Sequence, residues 1–442
     1  MMSSQYPSAP SSALNAVKSI GTRQARDWWL FAALMLSYKL LLDISYDFIS
    51  FAFGYQALFY NGRTPDTQLL SWLALIISLP ALKRLFDDRS ASGNVLSLLA
   101  LFSYVPTISV ISFRPDYDPN YVILIWAFWA MFYFWWRIIE PIHFRTLARI
   151  ESRSIYLITA FVLSFAVIIY SYINIGFRLH FNLIEVYDIR EEARQFTAPF
   201  PLNYFVSLAD NLLAVIAVFC FMKGRNFTTA VLIIIIFINF SISGTKQVVF
   251  VPLLGFIGYF LFKNIESKKL LFAGTFIAAA CAFESNFSNS ITLNGIFTYR
   301  VLFIPAELHY AYYEYFQSHD LLFYSQSFLR PLFDGNQDNI QFIIGERTVG
   351  SYTARANNGL FSDAYMNLGA IGVFIYPIIL STFLRILDGA FNGLSDRMRL
   401  VVVLYVAFVL LGMTFTSALF TSGLLVLVFL LYSLPRNSAS LA

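Results

Sequence analysis

The sequence predicts an all-α polytopic integral membrane protein with about twelve transmembrane helices, and three observations carry that prediction. Hydrophobic residues make up 58% of the 442 and charged residues only 13%, about half the charged share of a soluble domain. Mean hydropathy is +0.64, and Phe, Tyr and Trp are abundant (47, 26 and 7), as suits interfacial aromatic belts. Apolar runs long enough to cross roughly 30 Å of hydrocarbon recur along the chain. This composition excludes disorder, collagen-like repeats and a secreted disulfide scaffold.

The spans are read in order at 28–53, 68–82, 95–113, 121–139, 155–175, 204–222, 228–242, 248–262, 270–283, 361–387, 400–414 and 418–434, the seventh to ninth being short. This divides the chain into a polar N-terminal tail (1–27), a block of nine spans (28–283) with an outside loop at 176–203, a large outside loop (284–360), and three final spans with the C-terminus (361–442). The tail has no apolar core segment, so a cleavable signal peptide is not expected. With the N-terminus inside, 19 of the 30 Lys and Arg fall in inside segments and 10 in outside ones, which fixes both termini as cytoplasmic by the positive-inside rule. The 284–360 loop is too long to be structureless, so it is expected to be helical and functional.

Cys220 and Cys281 lie in apolar runs, and the four histidines are scattered without metal-ligand spacing, so neither a disulfide nor a metal or other cofactor is expected. The net charge of +4 comes from orienting loops and does not point to nucleic acid. No internal repeat is evident, which counts against a transporter.

Four features carry candidate chemistry. In TYRVLFIPAELHYAYYEYFQSHD (298–320), Arg300, Glu307 and Glu314 recur every seven residues and would share one helix face, with Pro305 kinking that helix and His309 on its far side. The pattern fits either an arginine held beside a carboxylate at the outer face or a structural ion pair. In RTVGSYTARANNGLFSDAYMNLGAIG (347–372), Arg355, Asn357, Asn358 and Asp363 crowd the start of span ten. The 357–359 segment reads as a turn, and Ser362 or Asp363 is either the helix cap or, for Asp363, a carboxylate aimed into a cavity. In SGTKQ (243–247), Lys246 is either an anion-binding group or an interfacial snorkelling lysine. Inside the spans, Lys39, Asp43 and Asp47 at i, i+4 and i+8, and Asp210, are costly in hydrocarbon and therefore notable, although Lys39–Asp43 also suits a structural bridge.

The SGTKQ turn, the R-x6-E helix followed by YYEYF, and NNGLFSDAYMNLGAIG, in that order with twelve spans and a long late outside loop, resemble the bacterial O-antigen (oligosaccharide repeat-unit) polymerases. The resemblance covers about 241–387; the first half matches by hydropathy alone. Family members often carry arginine where this chain has Lys246, which keeps the charge and loses the bidentate fork. The resemblance implies a GT-C-like, metal-independent glycosyltransferase of the bacterial inner membrane with its site facing the periplasm. Its substrates would be undecaprenyl-diphosphate-linked oligosaccharides in the membrane lipid, with a chain-length regulator as a protein partner. The growing glycan would pass to the non-reducing end of a new lipid-linked repeat. Arg300 and Arg355, assisted by Lys246, would bind the diphosphate. Asn357, Asn358, Tyr312, Glu314 and His309 would line the sugar path, although a tyrosine such as Tyr312 equally suits an interfacial belt. Asp363, with two neutral amides and no adjacent cation, is the expected base; Glu307 orients Arg300 and stands second as base, and His309 third. An O-antigen ligase, using a loop histidine, and a lipid-linked oligosaccharide flippase are the competing readings. Product formed with or without a lipid A acceptor, or none, separates the three.

Overall fold

The computed structural model describes residues 11–144, 153–175, 199–244, 247–261, 266–288, 290–327, 339–351 and 353–436, and these residues form helices and connecting turns without a strand. Nine helices among the described residues are long and apolar enough to cross a membrane: Ala25–Ala52 (within Ser11–Ala52), Pro65–Asp87, Ala91–Ile111, Pro119–Ile138, Ser154–Ile173, Leu202–Met222, Ser267–Phe287, Phe361–Phe391 and Phe415–Ser433. The expected seventh and eighth spans are the shorter apolar helices Asn226–Ile242 and Val248–Phe260. The expected eleventh is Asp396–Gly412, of 17 residues. The expected ninth is longer than its apolar core, because Ser267–Lys269 and Glu284–Phe287 extend it at both ends. The first helix starts at Ser11, well inside the segment expected to be a tail.

Local chemistry explains where these helices begin. Thr64 and Thr67 form a reciprocal capping box with Pro65 in the first turn. Ser90, Asp118 and Ser395 each cap the helix that begins after them, with Pro119 opening the second of these. Four interruptions break the regular α-helical winding among the described residues, one of them at Gly423 (φ 80°), which separates Phe415–Phe420 from Leu424–Ser433. The third membrane helix has a π-helical stretch at Ala100–Tyr104. A second π stretch, Gly295–Phe303, leads into the helix Ile304–Phe316. Phe361–Phe391 is broken at Gly369 (φ 59°, ψ −144°), a conformation that glycine alone adopts readily.

Contacts between chain-distant loops sort into two ends. At one end the Gly62 amide donates to Phe113 O at 3.0 Å, the Tyr313 hydroxyl to Asp118 at 2.6 Å, and the Gly359 amide to Leu411 O at 3.0 Å. At the other, Lys268 lies 3.4 Å from Asp27 and 3.1 Å from Asp87, Arg397 donates to Tyr259 at 3.3 Å, and the Ile142 amide to Arg385 O at 3.0 Å. Odd and even connections therefore gather at opposite ends, as alternating crossings require. The helices of the 284–360 segment lie at the first end.

Cysteines placed at Ser327 and at Ser395, at opposite ends, should react with a membrane-impermeant thiol reagent from opposite sides of a sealed vesicle. The native Cys220 and Cys281 are buried and supply little background. Labelling of both positions from one side would contradict the crossing pattern.

Candidate functional site

The site is organised around the helix Ile304–Phe316. Pro305 lies at the junction where the π-helical stretch passes into this helix. The stretch before it is π-helical, and i→i+5 bonding widens each turn. The seven-residue spacing from Arg300 therefore no longer returns to one face. Arg300 is exposed next to the Phe53–Tyr299 stack (3.9 Å), Glu307 is buried at 1% exposure, and Glu314 is exposed. The π stretch turns Arg300 off the face expected from spacing, whereas Glu307 and Glu314, both in the regular α-helix, keep a common side and line one cavity.

The cation that meets Glu307 is Arg114, whose Nη1 lies 2.7 Å from Oε2. The Tyr117 hydroxyl donates to the same oxygen at 2.6 Å, and the Tyr46 hydroxyl donates to Oε1. Arg114 is itself held by Asp116 (Nη2–Oδ2 2.8 Å) and Leu58 O (3.0 Å), with its guanidinium 4.6 Å from the Tyr117 ring. Burial holds the Glu307 carboxyl above its usual range, and Arg114 and the two hydroxyls offset that only in part. Burial works against the Arg114 charge as well, but Tyr117, Glu307 and Asp116 outweigh it and keep the guanidinium protonated. Three converging donors suit a carboxylate. A cavity of about 310 Å³ opens beside this cluster, lined also by Tyr310, Glu314 and Arg347.

The far side of the same helix carries His309, at 1% exposure. Its Nε2 lies 3.1 Å from Ser103 Oγ, in the π stretch of the third membrane helix, and its Nδ1 lies 3.0 Å from Ser362 Oγ. Asn358 donates to Ser362 Oγ at 2.8 Å and to Pro305 O at 3.1 Å. Burial pulls the imidazole down to about 3, so His309 is neutral and bonded at both nitrogens to protein groups. One turn further, the Tyr312 hydroxyl is buried and donates to Ala356 O at 2.7 Å. His309, Asn358 and Tyr312, expected along a sugar path, thus lie inside the packing that holds the 354–363 segment.

That segment positions Asp363. A Cβ on Gly359 would come within 2.2 Å of Leu410 O, so only glycine permits the chain to lie there. Leu360 comes next, at φ 53°, and occupies the cap position without a side-chain bond. Neither Ser362 nor Asp363 caps its own helix. Instead Asp363 reaches across to the start of the helix that begins at Phe415, accepting the Phe415 amide at Oδ2 (2.6 Å), and accepts Asn367 Nδ2 at Oδ1 (2.9 Å). The Tyr376 hydroxyl is a third hydrogen-bond partner, and three donors still leave the carboxylate accepting capacity. Asp363 lines a polar cavity of about 440 Å³ together with Tyr324, Gln326, Asn339, Gln341 and Thr414. The break at Gly369 frees backbone acceptors, and the cavity wall uses one of them. Leu322 N donates to Met366 O at 2.9 Å, and Tyr324 N to Asn367 Oδ1 at 2.9 Å.

Of the remaining candidates, Arg355 is exposed over the Phe342 ring at 4.9 Å, and Phe342 is next in sequence to the cavity residue Gln341. Asn357 is exposed beside it. Lys246 and the 176–198 part of the other outside loop lie outside the described residues. Lys39 is buried and bridges Asp43 at 2.7 Å, beside a separate cavity of about 730 Å³ that includes Asp47 and Arg63. Asp210 accepts from Asn239 at 2.7 Å. Among the described residues no three His, Cys, Asp or Glu side chains are placed to hold a metal ion. Arg114, Tyr46 and Tyr117 were not singled out by motif. The available signal was Arg114 itself, a lone cation in a short outside loop where the charge rule expects none. Comparison with family models, with curated proteins and with solved structures gives no match.

Arg114→Ala should destabilise the detergent-solubilised protein by roughly 3–5 kcal/mol, because it strands a buried carboxylate. Arg114→Met combined with Glu307→Gln should cost less than Arg114→Ala alone. Additive losses in thermal melts would mean that the pair is uncoupled.

His309 predicts an acid slope. The unfolded imidazole titrates near about 6.5 and the folded one near about 3, so its contribution is full above the first value and is lost as pH falls toward the second. Between about pH 7 and 5 the melting midpoint of the wild type should fall more than that of His309→Gln. Equal slopes would show that His309 titrates normally in the fold.

Proposed function

We propose that this polytopic membrane protein is a glycan polymerase acting on polyprenyl-diphosphate-linked oligosaccharides, at the end of the bundle where the Asp363 cavity opens. In that reading the end faces the periplasm and the membrane is a bacterial inner membrane. The observation that carries the proposal is the cavity itself. Among the described residues one carboxylate, Asp363, faces a wall of amides and hydroxyls, a lining suited to a sugar, and Arg355 precedes Ala356, whose amide donates to the lining residue Gln341. The motif resemblance in 241–387 supplies the reaction class.

In this mechanism Asp363 takes the proton from an acceptor sugar hydroxyl. The oxygen attacks the anomeric carbon of the donor glycan, the bond from that carbon to the diphosphate oxygen breaks, and the lipid diphosphate leaves with the electron pair. Arg355, with Arg300 and Lys246 as further candidates, takes the charge that builds on phosphate. Glu307 is assigned a positioning role, because its oxygens are occupied by Arg114, Tyr117 and Tyr46. Arg114 and Arg347 share their cavity with Asp116, Glu307 and Glu314, so that cavity carries more negative than positive groups and is a poor diphosphate site.

Purified protein in liposomes with a lipid-linked repeat unit should give a ladder of lipid-linked polymer without any lipid A acceptor. Asp363→Asn should bind donor normally and reduce transfer by a factor of about 10²–10⁴; Arg355→Ala should weaken donor binding. Near wild-type polymer from Asp363→Asn would make the residue only the inter-helix bond to Phe415. Transfer solely to lipid A would point to a ligase, and no transfer to either acceptor would remove the enzyme reading.

A further inference from the structure

A second feature lies on the outer wall of the bundle, away from the polar cavities. Pro65–Asp87, Ala91–Ile111 and Pro119–Ile138 enclose an apolar groove of about 780 Å³. Its lining is apolar, with large side chains such as Leu73, Trp126 and Phe134 set among Ala74, Ala81, Ala100 and Ala130, and Ile77 is 77% exposed. Ala100 belongs to the π stretch.

The groove has a direction. Pro65–Asp87 begins near Gly62, which bonds Phe113 at the candidate-site end, and finishes near Lys268 at the other. Pro119–Ile138 begins at Asp118, which accepts from Tyr313, and ends with Arg137 in the groove lining. Arg84 lies three residues beyond Ala81 and seven beyond Ile77, so it continues the groove face of its helix. Both arginines are exposed. Among the described residues neither is in ion-pair contact with a carboxylate, whereas nearby Asp87 is engaged by Lys83 and Lys268, and Asp88 accepts from Ser90. Glu140, one turn past Arg137, is the remaining acidic side chain at this end of the groove and is exposed.

We infer that this groove binds one anionic glycerophospholipid from the leaflet at the end opposite the candidate site. One acyl chain lies along the floor and the phosphate sits between Arg84 and Arg137. The charge rule alone accounts for arginines at such an end; it does not account for their standing on the two helices that wall an apolar groove. From Leu70 to Arg84 the helix rises about 21 Å, room for one extended acyl chain. A polyprenyl diphosphate with its head at the candidate site would present its charge at the wrong end of this groove, so the donor lipid is not the occupant.

The test is native mass spectrometry of the full-length protein released from vesicles of equal phosphatidylglycerol and phosphatidylcholine, with a trace of polyprenyl phosphate. The wild type should retain one phosphatidylglycerol in preference to phosphatidylcholine. Arg84→Gln with Arg137→Gln should lower that preference about tenfold, and Arg84→Lys with Arg137→Lys should keep most of it. Ala81→Trp should expel the bound lipid while both arginines remain. Thermal melts confirm that each variant is folded. No preference in the wild type, an unchanged preference in the folded Gln variant, or a polyprenyl phosphate as the retained species would overturn the assignment.

Discussion

The Glu307 carboxylate sets the constraint on which the candidate site depends. A carboxyl at 1% exposure must be surrounded by donors, because an unpartnered charge there would cost several kcal/mol. The donors come from the first membrane helix (Tyr46) and from the short loop after the third (Arg114 and Tyr117). Satisfying one carboxylate therefore fixes the rotation of Ile304–Phe316 about its own axis. With Glu307 turned toward that cluster, His309 must turn toward Ser103 and Ser362, and Tyr312 toward Ala356. The placement of the 354–363 segment, and hence of Asp363, is a consequence of that rotation.

The two buried carboxylates then differ in a way that assigns them different work. Glu307 has an arginine and a hydroxyl on one oxygen and a second hydroxyl on the other. Adding a substrate proton there would break bonds that hold the helix. Asp363 has one N–H donor on each oxygen, with the Tyr376 hydroxyl as a further partner and no cation, and faces a cavity. Its bonds orient the group without exhausting it, an arrangement suited to accepting a proton from a bound hydroxyl.

Much of the fold was legible in the chain because the signals are local. Apolar run length located the crossings, and Thr64, Ser90, Asp118 and Ser395 with Pro65 and Pro119 mark helix starts. The helical character of the 284–360 segment was implied by its length and content. The site was less legible. The Arg300–Glu307–Glu314 pattern presumes 3.6 residues per turn, and the π stretch at Gly295–Phe303 removes that premise for Arg300, leaving only Glu307 and Glu314 on a common side. The true partner of Glu307 is 193 residues away, beyond any periodicity argument. Asp363 could be placed at a helix start from sequence, but its acceptance of the Phe415 amide depends on how two later helices meet.

The break at Gly369 links the helix to the cavity beside it. Inside a membrane, backbone groups released from a helix must find protein partners or line a polar cavity. Here one freed carbonyl, Met366 O, is taken by Leu322, and Asn367 serves two segments at once, accepting from Tyr324 and donating to Asp363. The 321–327 turn, in which Phe323 and Tyr324 adopt positive φ, is thereby drawn onto the broken helix and becomes a wall of the cavity. An unbroken helix would satisfy Met366 O within itself and leave that turn nothing to dock on. The polar cavity is in this sense a product of the interruption: the residue that breaks the helix also creates the acceptors that assemble its lining.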